Sequence, residues 1–533
     1  MSTAITPANA ASLLSEEIAK TAPEHKAKVR RIVASSVGEN PILMADMYKA
    51  THAGQLPDKT ETITSFFEAR AGAKLHNIVN FGLQIILDDI AAICITQEHV
   101  NEAKTFFAQT FADSNIFNEK GWQLIVDEHN GSLPVRILAL PEGMVVPPGT
   151  PLFTIENTDP RIPWIGNWLE TMMMHLWYPV TVASYAFHQR NTLEKHLLKE
   201  GVTIEEAQST AKMSFVDFGM RGVTSLTSAA RAGAAVLTSF TASDNTLGGK
   251  LLGTAYGGCD DYSKIFTSIP AAEHMTITIH GSGNEKDAYL NMLCVYPTGC
   301  VSIVSDSYDY KKAVSILWCG ELVETVKFRH AKAKQQAPDQ PHFVVIRPDS
   351  GDMIENVLYT LDQLASAYGF TTNDKGFKLL SDEVRVIQGD GINLESYGSL
   401  LEALHASKWS VKNLVAGSGG GLLQKMDRDT LRCAIKASVA TVDGTERGIR
   451  KDTVGKASKR GRLSVEMEED RIIVIEDGKG DKKRNMLDAV YENGKRLKTE
   501  TYSEVRSRID AEHQKIHKKM QAFHEFEKAT SSE

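Results

Sequence analysis

The chain has 533 residues, of which 42% are hydrophobic and 24% are charged, so it is long enough to bury a large core and to form more than one structural unit. Its 59 lysine and arginine residues against 67 aspartate and glutamate residues give a net charge of −8, which disfavours a general affinity for polyanions such as nucleic acids. Any phosphate-binding site must therefore be a local cluster of basic groups.

The cysteine pattern and the N-terminal sequence indicate the compartment. Six cysteines are scattered without a C-x-x-C pair, which indicates neither a zinc site nor a disulfide framework and favours the reducing cytoplasm. The first 20 residues lack the basic and apolar regions of a signal peptide, and no later stretch approaches the ~18 apolar residues that span a bilayer. We therefore expect a cytoplasmic enzyme without membrane contacts. Residues 1–35 are interpreted as an N-terminal extension without an assigned function.

From residue 214 onward, short apolar runs end abruptly in acidic, arginine and glycine residues, and helix-period segments follow them. The runs are SFVDFGMRG (214–222), VSIVSDSYD (301–309), FVVIRPDSG (343–351), VRVIQGDG (384–391) and NLVAGSGGG (413–421). Amphipathic helices are predicted over 355–369 and 394–407. The alternation predicts parallel β/α units, in which a ligand lies beyond the carboxyl ends of the strands. Five polar clusters should therefore face one cavity.

The C-terminal part of the chain follows a different pattern. Residues 445–484 are rich in lysine, arginine and glycine and predict exposed hairpins outside the α/β unit. Residues 503–529 combine helical periodicity with dense charge and predict a surface helix.

Two of the strand ends carry residues suited to a phosphorylated sugar. Arg347 and Asp349 stand two residues apart, so both can project toward one ligand. A guanidinium binds phosphate bidentately, and a carboxylate binds a ribose hydroxyl or magnesium; a strand-end salt bridge is the alternative. Gly389 and Gly391 flank Asp390 and leave backbone amides open to close approach.

A third strand end is rich in glycine. Four glycines, Gly417, Gly419, Gly420 and Gly421, follow an apolar run and precede a helical one, which predicts a nest of amides at a helix N-terminus, with a tight turn as the alternative. The sequence has no G-x-x-x-x-G-K-[ST] pattern, and GSGGGL lacks the last glycine of G-x-G-x-x-G. Both a Walker ATPase and a Rossmann dehydrogenase are thereby disfavoured.

Segments distributed over nearly the whole chain carry a family resemblance. They are ILMADMYKATH (42–52), FNEKGW (117–122), ENTDP (156–160), DFGMRG (217–222), PAAEH (270–274), VSDSYD (304–309), RPDSG (347–351), RVIQGDG (385–391), GSGGGLLQK (417–425) and GKASKRGRLS (455–464). Through these segments the chain resembles the nicotinamide phosphoribosyltransferase family of type II phosphoribosyltransferases. The resemblance implies an irregular α/β barrel over 206–421 and an α+β domain built from both chain ends, over 36–205 and 422–533. It also implies a homodimer with shared active sites.

The resemblance implies how the pyridine ring is held. Phe218 and Tyr48 match two aromatics that sandwich the ring, with Tyr48 supplied by the other subunit, and stacking on both faces suits a flat ligand. Asp244 matches the carboxylate that accepts a hydrogen bond from the nicotinamide NH2 and would repel nicotinate. Further substrate-binding positions are Asp46, Ser268 and Ser302.

The resemblance also assigns the phosphoribosyl and magnesium sites. Positions around the phosphoribosyl group and pyrophosphate are Arg221, Arg347, Asp349, Gly389, Asp390 and Gly420. Asp306 and Asp349 are the candidate ligands of Mg²⁺ and, with His274, the candidate catalytic residues. Basic residues expected from the other subunit are Arg70, Arg428, Lys436, Lys451 and Lys456. A solvated basic face is the alternative for these residues, and without the resemblance it is the favoured interpretation of Lys451 and Lys456.

His274 matches a histidine that ATP, acting as a co-substrate, phosphorylates; the added charge would couple ATP hydrolysis to tighter substrate binding. The implied reaction converts nicotinamide and phosphoribosyl pyrophosphate to nicotinamide mononucleotide and pyrophosphate, in NAD salvage. Nicotinate phosphoribosyltransferase and a non-catalytic signalling protein on the same fold are the alternatives. Departures from the family pattern are Ala45, Met47, Val216 and Met220, which could alter the channel to the pyridine site.

Overall fold

The computed structural model describes residues 40–111, 116–257, 261–452 and 458–530. The expected N-terminal extension 1–35 and the expected site residue Lys456 lie outside these ranges. None of the described helices combines the length and the apolar character that a bilayer-spanning helix needs.

A seven-stranded sheet joins the two ends of the chain. Its strands are β1 (Thr60–Ala69), β3 (Val135–Ala139), β5 (Pro151–Asn157), β14 (Cys433–Val442), β15 (Thr445–Gly448), β18 (Asp488–Glu492) and β19 (Lys495–Arg496). Their order is β15-β14-β1-β5-β3-β18-β19, and every pair is antiparallel. Because β1 pairs along its length with β14, more than 360 residues later, the predicted α+β unit built from both chain ends is confirmed; the predicted domain limits stay predictions.

A second sheet is wholly parallel. Its strands are β6 (Phe215–Asp217), β7 (Ala242–Ser243), β8 (Val301–Val304), β9 (Val344–Arg347), β12 (Val384–Gln388) and β13 (Leu414–Ser418), in the order β7-β6-β13-β12-β9-β8. Five of them are the strands predicted from the apolar runs. These runs are rich in valine and isoleucine, which suit strands covered on both faces.

Residues 267–271 close the parallel sheet into a barrel. Thr267 forms a parallel bridge with Ala242 of β7, and Ala271 forms one with Ser302 of β8. Backbone hydrogen bonds hold both ends, from the Thr267 amide to Thr241 at 2.8 Å and from the Ser302 amide to Pro270 at 2.9 Å. The two edge strands are therefore linked through one short extended segment, which confirms the irregular α/β barrel.

Helices pack around both sheets. They are Leu83–Ala91, Gln97–Thr110, Glu119–Glu128, Ile165–Met174, Trp177–Lys199, Ile204–Met213, Leu226–Val236, Thr246–Ala255, His274–Thr278, Glu285–Val295, Tyr310–Lys312, Val323–Gln336, Met353–Tyr368, Leu394–Ala406, Gly420–Leu423 and Tyr502–Thr530, with a π-helix at Ala313–Glu321. The two predicted amphipathic helices are confirmed within two residues at their starts. Asp352 and Asn393 accept backbone hydrogen bonds as their N-caps, which fixes where each helix begins after a strand-end loop.

The remaining short strands form β-pairs outside the barrel. They are β2 (Ile78–Val79), β4 (Val145–Val146), β10 (Phe370–Thr372), β11 (Lys378–Leu380), β16 (Ser464–Glu468) and β17 (Arg471–Ile475). The β16–β17 hairpin confirms one of the predicted hairpins over 445–484, whereas β15 adds an edge strand to the antiparallel sheet.

The C-terminal helix Tyr502–Thr530 is helical as predicted, but it is not only a surface helix. Val505, Ile509, His513 and His517, spaced by four residues, are all fully buried. The helix therefore packs one stripe of residues, two of them histidines, into the core and leaves its other faces to solvent.

Candidate active site

Seven loops meet at the carboxyl end of the barrel. The five predicted strand-end clusters are joined by the loops after β7 and after residues 267–271. In spatial order, the residues just beyond these ends are Asp244, Phe218, Gly420, Asp390, Asp349, Asp306 and His274. Since parallel strands place their carboxyl ends on one side, the barrel brings the barrel-derived candidate residues into one ring.

Phe218 lies against two glycines of neighbouring strand ends. Its amide donates to Ser418 at 3.0 Å, and its ring lies over Gly417 and Gly389. A Cβ atom at Gly417 would come within 2.0 Å of the ring, and one at Gly389 within 3.2 Å. The ring remains partly exposed, so a flat ligand can stack on it.

Asp244 is oriented by Ser268 of the barrel-closing segment. The Ser268 hydroxyl donates to Oδ1 of Asp244, and the Asp244 amide donates to the carbonyl of Asp217 at 3.0 Å. With Oδ1 engaged, Oδ2 of this exposed carboxylate is positioned to accept a hydrogen bond from a ligand.

Asp217 is a residue of this site that sequence analysis did not assign. Its carboxyl is fully buried, and Oδ1 accepts from the Gly219 amide at 2.7 Å, while Oδ2 has no hydrogen bond. Burial, with the nearby charge of Asp244, raises the pKa of Asp217 to about 6. The available signal was its place at the end of β6, directly before Phe218.

His274 belongs to a hydrogen-bonded chain of three side chains. Its Nε2 lies 2.9 Å from Oδ1 of Asp306, and the Ser350 hydroxyl donates to Oδ2 of Asp306 at 2.5 Å. The Asp306 side chain is only 5% exposed, whereas that of His274 is 45% exposed. The carboxylate therefore fixes an imidazole that solvent and ligands can still reach. Ser350 was also missed, although it lies within the RPDSG motif.

Arg347 has hydrogen-bonding capacity that the protein does not use. Its side chain is 15% exposed, and its Nε is buried without a hydrogen-bond partner. Its Nη2 lies 3.6 Å from Oδ2 of Asp349, which is an ion pair beyond hydrogen-bond distance. The salt bridge between Arg347 and Asp349 that was the alternative is therefore present, but without a hydrogen bond. A buried guanidinium nitrogen that lacks a partner suits an anionic ligand.

Arg221 and Ser302 differ in their exposure to solvent. The Arg221 side chain is 86% exposed, and its Nη1 lies 3.7 Å from the Glu273 carboxylate, beside the helix that begins at His274. Ser302 is buried within β8 and bonds through its backbone to the barrel-closing segment. Of the two, Arg221 can reach out to a ligand.

The other expected residues come from outside the barrel strands and their closing segment. Asp46 accepts a hydrogen bond from Thr171 at 2.7 Å, and Tyr48, 59% exposed, makes an edge contact with His52. Arg70 and Arg428 lie near Cys433 at the start of β14, while Lys436 and Lys451 are exposed. Across the described ranges, no hydrogen bond or ion pair joins these six side chains to the ring.

Two family models match the chain. Residues 213–495 match the nicotinate phosphoribosyltransferase (NAPRTase) family, and residues 40–137 match the nicotinamide phosphoribosyltransferase N-terminal domain. The chain belongs to the NAPRTase family. It is therefore an enzyme, a pentosyltransferase.

Curated relatives cover almost the same length. The nicotinamide phosphoribosyltransferase of Xanthomonas campestris pv. campestris (strain 8004) is 39% identical over 487 residues, covering 89% of this chain and 98% of the relative. That of Acinetobacter baylyi (strain ATCC 33305 / BD413 / ADP1) is 30% identical over 507 residues, covering 88% and 97%. The resemblance seen in the sequence motifs is confirmed.

Solved structures share the fold at low identity. The nicotinate-nucleotide pyrophosphorylase from Pyrococcus furiosus is 14% identical, with a TM-score of 0.55, and covers 91% of this chain and 99% of its own. Human nicotinic acid phosphoribosyltransferase is 14% identical, with a TM-score of 0.51, and covers 88% and 93%. These similarities confirm the type II phosphoribosyltransferase fold.

Proposed function

We propose that the protein is a nicotinamide phosphoribosyltransferase acting in cytoplasmic NAD salvage. The lone pair of the pyridine nitrogen forms a bond to the ribosyl carbon of phosphoribosyl pyrophosphate. The bond from that carbon to the pyrophosphate oxygen breaks, and pyrophosphate leaves with its electron pair. The step needs no protein nucleophile, so the chain contributes positioning and charge.

The observation that carries the choice of substrate is the contact between Asp244 and Ser268 beside Phe218. The ring of Phe218 provides a stacking surface, and the free oxygen of Asp244 can accept a hydrogen bond from a carboxamide NH2. A nicotinate carboxylate at that position would meet like charge without a donor. The names of the curated relatives support the same substrate.

The phosphoribosyl pyrophosphate subsite is proposed on the opposite side of the ring. Arg347 offers a mostly buried guanidinium to phosphate, and the loops at Gly389 and Gly420 offer backbone amides, with the ring of Phe218 lying against Gly389. Asp306 and Asp349 would hold magnesium, because carboxylate oxygens are its preferred protein ligands. Bound there, the ion would neutralise charge on the departing pyrophosphate.

ATP is proposed to act through His274. Asp306 engages Nε2 of the imidazole, so Nδ1 is the nitrogen left for a phosphoryl group transferred from ATP, with ADP as the leaving group. The partial exposure of this ring supports access from solvent. Phosphorylation would add negative charge next to Asp306 and shift the affinity for magnesium and pyrophosphate.

A homodimer is proposed to complete each site. Among the described residues, Asp46, Tyr48 and the basic residues make no hydrogen bond or ion pair to the ring of their own chain, and Tyr48 is an exposed aromatic. A second copy can place Tyr48 on the free face of the pyridine and the basic residues near the phosphates. The five described cysteines are free thiols, which suits a reducing compartment.

The test compares kcat/KM for nicotinamide and nicotinate with phosphoribosyl pyrophosphate and magnesium, with and without ATP, in the wild type and in Asp244→Asn. An asparagine can donate to a carboxylate, so the preference for nicotinamide should fall roughly ten- to a hundredfold, corresponding to ~1.5–3 kcal/mol for a hydrogen bond to a charged group.

Ser268→Ala is the matched control for charge. It removes the hydroxyl that orients Asp244 but keeps the carboxylate, so turnover should fall while the preference for nicotinamide persists. An unchanged substrate ratio in Asp244→Asn would refute the assignment of Asp244, and a wild type that prefers nicotinate would identify the alternative enzyme.

A further inference from the structure

A group of three metal-ligating side chains contains none of the residues of the strand-end ring. His513 and His517 stand one turn apart on the C-terminal helix Tyr502–Thr530, and Glu194 lies on the helix Trp177–Lys199. All three are fully buried. Within the described ranges, this is the single set of three such residues whose ligating atoms lie within 4.8 Å of one another.

The ligating atoms converge on one carboxylate oxygen. Nε2 of His517 lies 2.7 Å from Oε2 of Glu194, and Nδ1 of His513 lies 3.1 Å from the same oxygen. His513 nevertheless makes no hydrogen bond through either ring nitrogen, and Nδ1 of His517 also has no partner. Of these three nitrogens, Nδ1 of His513 faces the carboxylate oxygen, and a buried polar nitrogen without a hydrogen bond is costly unless another group engages it.

The surrounding residues hold this arrangement in place. Arg190 donates from Nε to Oε1 of Glu194 at 2.7 Å, so that the other carboxylate oxygen faces the histidines. Phe187 stacks on His513 with ring centroids 4.0 Å apart and fixes the imidazole plane. Ligand-orienting contacts of this kind are typical of metal sites in proteins.

From this geometry we infer that Glu194, His513 and His517 form a structural binding site for a divalent transition-metal ion of the zinc class. Two imidazoles at positions i and i+4 with one carboxylate are a ligand set that zinc accepts. The ion would link the C-terminal helix to the helix Trp177–Lys199. This site is independent of the proposed transferase reaction.

Two cations lie near the proposed ligands, and one of them, Arg190, is bonded to Glu194. The charge of Arg190 opposes a nearby dication, but Arg190 is also paired with Asp510, from Nη1 to Oδ1 at 2.6 Å, and Lys212 lies 2.8 Å from the same carboxylate. These two cations limit the expected affinity without blocking the three ligands.

The test uses the full-length protein, purified without a polyhistidine tag. Bound metal is removed with a chelator, and the protein is then titrated with Zn²⁺ or Co²⁺. We expect about one ion per chain, a visible Co²⁺ absorption band of low-symmetry nitrogen and oxygen coordination, and a higher Tm with metal than without it. The variants His513→Gln and His517→Gln should lose the band and the Tm increase.

His405→Gln is the matched control, because His405 also pairs with a buried carboxylate, Glu200, at 2.9 Å but belongs to no group of three ligands among the residues that the structure describes. It should keep the full metal response. The proposal is overturned if the stripped wild type shows neither a Co²⁺ band nor a metal-dependent Tm. It is also overturned if folded His513→Gln and His517→Gln bind as much metal as the control; should both variants fail to fold, the wild-type titration decides.

Discussion

The packing of Phe218 on Gly417 allows the stacking surface to be moved without changing it chemically. In Gly417→Ala, the new Cβ would lie 2.0 Å from Cε2, 2.4 Å from Cδ2 and 2.9 Å from Cζ of the ring. Carbon atoms pack at about 3.5 Å or more, so the near edge of the ring must move by roughly 1.5 Å. Misplacing a reacting partner by about 1 Å can cost on the order of a hundredfold in rate. We expect kcat/KM for nicotinamide to fall about a hundredfold.

Two other glycines give a graded comparison. A Cβ atom at Gly389 would lie 3.2 Å from Cε2 of Phe218, so Gly389→Ala needs a shift of only a few tenths of an ångström and should cost less than tenfold. Gly398, within the helix Leu394–Ala406, has no atom within 4 Å of an added Cβ. Gly398→Ala should keep full activity, since alanine also favours the helix. Steady-state kinetics with thermal melting of each variant separate activity from stability.

A double-mutant cycle tests whether the ring itself transmits the effect. In Phe218→Ala the stacking surface is already absent, so adding Gly417→Ala should produce little further loss. Wild-type kinetics in Gly417→Ala, or losses that add in the double variant, would show that Phe218 does not hold the pyridine ring.

Three further predictions concern other parts of the site. His274→Ala should abolish ATPase activity and ATP stimulation while slow transfer persists, because the imidazole couples ATP to binding; ATP stimulation that survives in the variant contradicts this role. Arg347→Ala and Tyr48→Ala homodimers should both be inactive. When differently tagged chains of the two variants are dissociated and reassembled together, at most about a quarter of wild-type activity should return, since half the dimers are mixed and each mixed dimer has one intact site. Verified mixed dimers without activity would place the site within one chain. In Asp217→Asn the buried acid is replaced by a neutral amide. Burial raises the pKa of Asp217 from 3.8 to about 6. The protonated carboxyl therefore contributes to the stability of the folded state below pH 4, and this contribution is lost as pH rises through 6. The free energy of unfolding of the wild type, relative to that of the variant, should therefore decrease by roughly 2–3 kcal/mol between pH 4 and 7. Thermal melting at each pH would show this as a falling difference in Tm. A constant difference would mean that Asp217 does not titrate in this range.

The sequence predicted the barrel strands that are continuous apolar runs. VSIV of β8 and VVIR of β9 combine β-branched residues with an abrupt polar end, and each such run became a strand. The strand β7 has two residues, and the closing segment 267–271 pairs only through isolated bridges. Neither is long enough to show a period, so pattern analysis could not find them. Asp244 and His274, which follow them, were assigned from motif resemblance alone.

The buried polar residues were the hardest to predict. Asp217 and Glu194 are fully buried, although charged residues are almost always exposed unless they are paired. Their burial depends on partners far along the chain: Glu194 faces His517 across 323 residues. The absence of C-x-x-C pairs argued against a zinc site, yet the inferred ligands are histidines and a carboxylate brought together by helix packing. The sequence around each of these residues does not predict a contact between segments so far apart in the chain.

The closing segment connects the two chemical halves of the site. At its first end, Thr267 pairs with β7, and the next residue, Ser268, orients Asp244. At its other end, Ala271 pairs with β8, and three residues later His274 meets Asp306. We therefore propose that the preference for nicotinamide and the coupling to ATP both depend on residues 267–271, which backbone hydrogen bonds hold at both ends.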